Sequence, residues 1–213
     1  MGLGAEPAKN CPLCPRLAAY RAQNAQAEPG WFNGPAPSFG DPNATLLIVG
    51  LAPGRTGANR TGRPFTGDYA GDLLYGTLLK LGLAQGEYRA DPGDGLQLKG
   101  CMITNAVRCA PPENKPTPAE IAQCRPFLEA QIGALPCLKA FLALGSIAHD
   151  SVLRAHGVKP SAAKFGHEAV FTLPSGAALV SSYHCSRYNT QTGRLTTVMF
   201  ESAMAKAKAF AGA

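Results

Sequence analysis

Two stretches of this sequence combine side chains that could do chemistry with a backbone that could hold a ligand. The first runs from Gly50 to Asp68 and follows an apolar run, residues 46–49, which predicts a loop at the end of a buried strand. Its glycines permit tight turns and close approach of the backbone to a ligand. Its arginines, Arg55, Arg60 and Arg63, are expected to bring positive charge to the rim. Such a loop suits a phosphorylated ligand.

A nucleotide-binding P-loop is one alternative for this segment. Its closest match, residues 57–64, has Arg63 where the motif needs lysine and Pro64 where serine or threonine should hold magnesium. The mechanics of an NTPase are therefore missing. What the loop offers instead is Phe65 and Asp68, an aromatic face and a carboxylate that suit a flat base being held and attacked.

Asp68 also stands directly before a predicted helix that begins at Tyr69. Aspartate is a preferred residue at helix N-termini, where its side chain accepts a backbone hydrogen bond. On position alone, capping and chemistry are equally good explanations of Asp68, and one side chain could serve both.

The second stretch is Tyr183–Asn189, which follows the apolar run 178–182. His184 stands at the end of that predicted strand, and histidine readily donates or accepts a proton near neutral pH. A lone histidine is more often a hydrogen-bonded structural residue. Its place before a Ser-Arg-Tyr-Asn segment favours function, and the other three histidines lack that context.

Four of the seven cysteines form a set that could bind metal: Cys11, Cys14, Cys109 and Cys124. The first two form a Cys-x2-Cys pair, and all four lie near the starts of predicted helices. Four thiolates suit zinc or a [4Fe–4S] cluster equally well, and their spacing does not choose between them. Unliganded core cysteines are the remaining alternative. The other three cysteines lie at apolar or strand-end positions and are interpreted as non-ligands: Cys101, Cys137 and Cys185.

Composition limits the class of protein. With 213 residues, 46% of them hydrophobic, we expect one α/β domain over residues 1–213. No apolar run approaches the roughly 20 residues that span a bilayer, and the N-terminus lacks the apolar core of a signal peptide. We therefore expect a soluble, cytoplasmic protein with no membrane partner. The net charge of +6 fits an anionic polymer but is modest enough to be an ordinary solvated surface.

Strands and helices alternate along the chain. Predicted strands occupy residues 45–51, 102–107, 139–144 and 178–182, and the main predicted helices occupy residues 69–83, 118–135, 146–156 and 192–210. This order predicts a three-layer α/β/α fold around a central, mostly parallel, four-stranded sheet. Ligands bind such sheets beyond the carboxyl ends of the strands, where Gly50, Asn105 and His184 all fall.

Four motifs in this order resemble a known family. They are GLAPG, NRTGRPFTGD, TNAVRCAPPENKPTP with its later CRPFL, and YHCSRYNTQTGRLT. They resemble the iron–sulfur uracil-DNA glycosylases, in particular the family-five (type B) branch, over nearly the whole chain, from Cys11 to about Thr196. The resemblance implies an α/β/α fold, excision of uracil from DNA, and a structural [4Fe–4S] cluster on the four-cysteine set. It favours the cluster over zinc.

The resemblance also implies how a base would be held. A glycosylase flips its base out of the duplex, stacks on the base face and reads the Watson–Crick edge. Phe65 and Asn105 would provide those two contacts, in a pocket that Gly50 and Ala52 help to form.

Catalysis requires a donor aimed at the departing uracil oxygen and a polar group near the sugar. His184 would be the donor. Related branches carry a polar residue just after the first glycine of the Gly50 loop to position water, whereas Leu51 and Ala52 are apolar here. Asp68 would therefore handle the water, as in the type B branch.

The segment after His184 would enter the minor groove and fill the space left by the base. Arg187 or Tyr188 would be inserted, with Asn189 beside them, and Arg60 would contact DNA from the Gly50 loop. Cys185 departs from the family, because related enzymes often have proline at this position.

The leading hypothesis is a monofunctional glycosylase, because no lysine is placed next to these motifs as a Schiff-base nucleophile. The protein is expected to be a monomer. The apolar Leu51 and Ala52 do little to exclude larger bases, so hypoxanthine, xanthine and other deaminated bases are expected candidate substrates besides uracil. The alternative from another class is a non-catalytic iron–sulfur module that binds DNA or senses redox state.

Overall fold

The computed structural model describes residues 6–213. The strands are β1 (Phe39–Gly40), β2 (Leu46–Gly50), β3 (Ala84–Gln85), β4 (Gln97–Leu98), β5 (Cys101–Asn105), β6 (Ala140–Leu144), β7 (Val170–Thr172) and β8 (Ala178–Ser182). The α-helices are α1 (Pro15–Ala27), α2 (Ala58–Thr61), α3 (Tyr69–Lys80), α4 (Pro118–Gly133), α5 (Ser146–Ala155), α6 (Arg187–Gln191) and α7 (Thr197–Ala211). Two short 3-10 turns complete the set, Pro112–Asn114 and Pro160–Ala162.

The main sheet has six strands in the order β1, β5, β2, β6, β8, β7. Its four central strands are parallel and fully buried, and they are the four that the sequence predicts. The short strands β1 and β7 add antiparallel edges of two and three residues, which are too short to carry a period-two pattern. The prediction of a mostly parallel sheet is confirmed, and its strand number is corrected from four to six.

Helices cover both faces of the sheet. Side chains along a strand alternate between the two faces, and the buried strands place apolar residues on each of them. Leu46 and Ile48 of β2 pack in one core with residues of α3 and α7, whereas Leu47 and Val49 pack in a second core with residues of α4 and α5. The three-layer α/β/α prediction is therefore confirmed. Within residues 6–213, no helix is long and apolar enough to cross a membrane.

Local signals fix the helix starts that matter for the site. Asp68 is the N-cap of α3, and a capping box between Thr117 and Glu120 begins α4. The last helix was predicted over residues 192–210, and the predicted start is wrong. Thr196 is the N-cap of α7, and Gly193, which has a left-handed backbone, separates α7 from the five-residue helix α6.

Candidate active site

Gly50 and Asn105 are paired in register at the carboxyl ends of the parallel strands β2 and β5. A Cβ atom at Gly50 would lie 2.6 Å from the Phe65 ring and would overlap the side-chain oxygen of Asn105. Glycine is required here because both side chains pack against its Cα. Asn105 is 2% exposed, and within residues 6–213 its Oδ1 atom has no hydrogen-bond partner. Since buried polar atoms normally have a partner, Oδ1 is available to a ligand.

Phe65 packs over these strand ends and faces His184, with 6.0 Å between the two ring centroids. The residue has a positive φ of 53°, which is uncommon for a side chain with a Cβ atom. The ring nevertheless lines the pocket, as predicted for a stacking residue.

Asp68 combines the two explanations that its sequence position allows. Its Oδ1 atom accepts a hydrogen bond of 3.0 Å from the backbone N–H of Gly71, which caps α3. Its Oδ2 atom lies over Gly57, where an added Cβ would stand only 2.5 Å away. Burial raises the pKa of Asp68 above its ordinary value, and the Gly71 hydrogen bond partly opposes this shift. One oxygen therefore holds the helix and the other remains at the pocket wall.

His184 lines the same pocket. Burial lowers the pKa of its imidazole to about 4, so the ring is neutral at physiological pH. The side chain of Asn189 donates a hydrogen bond of 2.8 Å to the His184 carbonyl and thereby fixes the local backbone. A neutral imidazole can donate one N–H to an oxygen without carrying charge into the pocket.

These side chains surround one cavity of about 440 Å³. Its lining includes six predicted site residues, Ala52, Phe65, Asp68, Asn105, His184 and Arg187, whereas Gly50 lies against Phe65 and Asn105 outside the lining. The guanidinium of Arg187 lies 5.3 Å from the ring centroid of Tyr69, another lining residue. A volume of this size is typical of sites that enclose a small molecule or one base.

Three residues predicted to contact DNA lie outside the cavity lining: Arg60, Tyr188 and Asn189. Tyr188 and Asn189 belong to helix α6 and not to the predicted loop, because Ser186 caps a helical turn there. Tyr188 is 71% exposed. Arg60 is also exposed, and its Nε atom donates to the carbonyl of Thr56.

Two features of the site differ from the sequence interpretation. Asn114 lines the cavity but was not predicted, because it reaches the strand ends through two consecutive left-handed residues, Glu113 and Asn114. The PPEN segment, residues 111–114 of the stretch that follows β5, was the available signal. Arg63, predicted to bring charge to the rim, is instead buried in an ion pair with Asp94.

The four predicted metal ligands converge from three segments of the chain. All four cysteines line one small, mostly apolar cavity and pack with Leu17, Val107 and Phe127. The Nη1 group of Arg21 donates to the Cys109 sulfur, and the backbone N–H of Arg108 donates to the Cys124 sulfur, both at 3.3 Å.

Burial raises the pKa of the Cys14 thiol to about 11 and that of the Cys124 thiol to about 12. Such groups become thiolates only beside a compensating positive centre. Among residues 6–213, no group of three or more His, Cys, Asp or Glu side chains is arranged to hold a metal ion. The remaining cysteines lie elsewhere: Cys101 and Cys185 in the main core, and Cys137 exposed.

Comparison with known proteins identifies the family. A family model described as the uracil DNA glycosylase superfamily matches residues 37–208. A type-5 uracil-DNA glycosylase from Thermus thermophilus is 49% identical over 208 residues, covering 95% of this chain and 94% of the relative. Those from Mycobacterium leprae and Pyrobaculum aerophilum are 42% and 39% identical, covering 99% and 95% of this chain and 98% and 90% of the relatives. Because the match extends along nearly the whole chain, this protein belongs to the uracil DNA glycosylase superfamily.

Proposed function

We propose that this enzyme excises uracil from DNA by hydrolysing the N-glycosidic bond. The observation that carries the proposal is the unpaired Oδ1 atom of Asn105 beneath the Phe65 ring. The uracil edge presents an N–H donor beside a carbonyl acceptor, which one amide side chain can match with its oxygen and its NH₂ group. The Phe65 ring would stack on the face of the same base.

The same pattern explains why the substrate range could extend beyond uracil. Hypoxanthine and xanthine also present an N–H beside a carbonyl, because deamination replaces an amino group with an oxygen. Leu51 and Ala52 line the cavity without a polar group that would reject a larger base. We therefore include deaminated purines among the proposed substrates.

Asp68 and His184 both line the cavity and would divide the catalytic work. As the glycosidic bond breaks, positive charge develops on the sugar and negative charge on the departing uracil. Asp68 would hold water and stabilise the sugar cation, and neutral His184 would donate a hydrogen bond to the uracil oxygen. Within residues 6–213 no lysine lines the cavity, which supports a monofunctional, hydrolytic enzyme.

We further propose that the four-cysteine set holds a [4Fe–4S] cluster. The packing of the four thiols around one cavity, with N–H donors to two of the sulfurs, supports this assignment. A cluster takes one thiolate on each iron, so it does not require the three or more ligands around a single ion that residues 6–213 lack. The cluster would link α1, the segment after β5 and α4, and would supply stability without a chemical step. Ala52 packs against this cysteine group and also lines the catalytic cavity, so the cluster would support the cavity wall.

The proposed setting is the cytoplasm, where reduced thiols are maintained and genomic DNA is accessible in a prokaryotic cell. We propose that the enzyme acts as a monomer, since one chain supplies all the candidate catalytic groups. A non-catalytic DNA-binding module is not favoured, because the chain belongs to a glycosylase superfamily.

The function is tested by presenting matched duplexes that carry uracil, hypoxanthine, xanthine or cytosine at one test position. Strand breakage after alkali reports abasic sites. We expect cleavage at uracil and at one or both deaminated purines, with cytosine left intact because its edge lacks the N–H that Asn105 would accept. Cleavage at cytosine comparable to that at uracil would refute the proposed reading of the base edge.

The role of His184 makes a separate prediction. His184→Ala should slow uracil excision by roughly 10- to 100-fold, because it removes one hydrogen bond to the oxygen that becomes charged as uracil departs. The loss should be smaller for hypoxanthine, which can leave after protonation at other nitrogens. Single-turnover rates on both duplexes measure the difference. Equal proportional loss would make His184 a general scaffold of the pocket.

His184 also predicts how the stability of the folded protein depends on pH. The unfolded ring titrates near its ordinary value of 6.5 and the folded ring at about 4, so the unfolded state binds more protons between these values. The contribution of His184 to stability should therefore be lost as pH falls from about 6.5 towards 4. His184→Ala should show a weaker fall in melting temperature over this window.

Comparing Arg187→Ala with Tyr188→Ala tests which side chain fills the space that the flipped base leaves in the DNA. Arg187 lies against Tyr69 at the cavity, whereas Tyr188 projects into solvent. A residue that fills a gap in the base stack is needed only in duplex DNA. We expect Tyr188→Ala to weaken capture of uracil duplex about 5-fold more than capture of single strands, and Arg187→Ala to affect both similarly. The reverse pattern in binding titrations would assign the insertion to Arg187.

A further inference from the structure

Phe65 occupies a backbone conformation that its own side chain does not favour. The backbone N–H of Thr66 donates to the carbonyl of Arg63 at 3.3 Å, which closes a turn with Pro64 and Phe65 at its centre. A positive φ at the third position of a turn usually calls for glycine, as in type II turns. Glycine would remove the strain but also the ring, so something else must hold Phe65 in place.

Two tyrosine hydroxyls hold the backbone on either side of this strained point. Tyr75 donates a hydrogen bond of 2.6 Å to the carbonyl of Pro64, and Tyr88 donates one of 3.2 Å to the carbonyl of Phe65. The two tyrosine rings stack with their centroids 4.5 Å apart. The two peptide groups that flank the α-carbon of Phe65 are therefore each held by a tyrosine hydroxyl.

Arg63 and Asp94 lie behind the tyrosines in a buried ion pair. The guanidinium donates two hydrogen bonds to the carboxylate, at 2.8 and 2.7 Å, and the two side chains are only 4% and 0% exposed. The Nε atom of Arg63 donates to the hydroxyl of Thr66 at 2.7 Å. Asp94 also accepts from the backbone N–H groups of Arg89 and Leu96. The pair therefore fastens the Phe65 turn to a distant loop.

Three aromatic rings enclose the guanidinium. Its central carbon lies 5.2 Å from the ring centroid of Phe39, 5.3 Å from that of Tyr75 and 5.7 Å from that of Tyr88. The Arg63 cage is defined here as Arg63, Asp94, Phe39, Tyr75 and Tyr88. Buried ion pairs contribute little net stability, because desolvation of the charges offsets their attraction. The Arg63–Asp94 pair contacts the strained turn at Phe65 directly, so it can serve to hold that turn.

We propose that the Arg63 cage is a positioning device, which sets the plane and depth of the Phe65 ring against which the flipped base stacks. The inference rests on the proposed excision of a base from DNA. Arg63 orients the two tyrosine rings, their hydroxyls fix the carbonyls of Pro64 and Phe65, and the fixed backbone holds the ring against Gly50. None of the five cage residues lines the catalytic cavity within the described chain, so the cage would act through Phe65 and not by touching the base.

The test uses variants that each remove a single hydroxyl. In Tyr88→Phe and Tyr75→Phe the stacked rings remain, so folding should be retained, whereas Asp94→Asn could destabilise the whole chain. Tyr20→Phe on α1 is the matched control, because it removes a hydroxyl away from the turn. Single-turnover excision from a uracil duplex should fall about 10-fold or more in the Tyr75→Phe/Tyr88→Phe double variant, and by less than 2-fold in the control.

Two further measurements separate positioning from general loss of structure. Binding to a duplex with non-cleavable 2′-fluorodeoxyuridine should weaken about 10-fold in the double variant, while binding to an abasic duplex should be unchanged, because only the former offers a base to stack. In a Phe65→Ala background, removing both hydroxyls should have no further effect on excision.

Equal loss of affinity for both duplexes would overturn the proposal, as would a full additional loss in the Phe65→Ala background. Wild-type protein is measured in the same series. If it excises uracil and the double variant matches it, only the cage proposal fails. If the wild-type protein does not excise uracil, the proposed function fails first.

Discussion

Asp68→Asn should lower the single-turnover rate of uracil excision by roughly 10²-fold or more, while affinity for the uracil duplex changes little. The Oδ1 atom of Asp68 caps α3 through Gly71, and asparagine is an equally good cap. The substitution therefore keeps the structural role and removes the negative charge of the second oxygen at the cavity wall. Rapid-quench kinetics with excess enzyme, together with a binding titration, measure both quantities.

Stability provides the control for this variant. Burial raises the pKa of Asp68, so the folded protein holds the carboxylate charge at a cost that begins as pH rises above the ordinary value of 3.8. Asparagine removes that cost. The melting temperature of Asp68→Asn at neutral pH should therefore equal or exceed that of the wild-type protein. Full activity in a stable Asp68→Asn variant would restrict Asp68 to helix capping.

Cys124→Ala should abolish the proposed iron–sulfur centre and lower the free energy of unfolding by about 3 kcal/mol or more. The cysteine set joins α1, the segment after β5 and α4, so losing one ligand removes a link between distant parts of the chain. Iron and sulfide content, visible absorption and chemical denaturation measure the effects. Cys137→Ala is the matched control, because that thiol is exposed and lies outside the cavity.

The proposed cluster should affect stability far more than choice of base. Any residual activity of Cys124→Ala should keep the wild-type ratio of uracil to hypoxanthine cleavage, because neither base contact comes from the cysteine set. Wild-type protein that is colourless and carries one zinc ion would contradict the cluster assignment. A changed base ratio with normal stability would place the cysteines in substrate selection.

Much of the site could be predicted because its residues follow buried strands. Apolar runs predicted the four parallel strands, and parallel strands bring their carboxyl ends to one edge. Gly50, Asn105 and His184 therefore had to lie near one another. The capping signal at Asp68 likewise predicted the start of α3.

The remainder depended on backbone conformation and long-range pairing. Asn114 reaches the cavity through a left-handed turn; asparagine tolerates that conformation, but the PPEN segment does not show where the turn leads. Arg63 was predicted to bring positive charge to the rim of the Gly50 loop. The sequence gives no sign that Asp94, far along the chain, forms a buried ion pair with it. The strands β1 and β7 are too short to show periodicity, and α6 depends on a single serine cap.

Release of free base from a single-uracil duplex tests the central claim most directly. Wild-type protein is incubated with the duplex in the presence and absence of borohydride, and both the released base and the DNA strand are followed. We expect free uracil, an intact abasic strand that breaks only after alkali, and no protein trapped on DNA, as hydrolysis requires. Binding of the duplex without release of uracil would contradict the account.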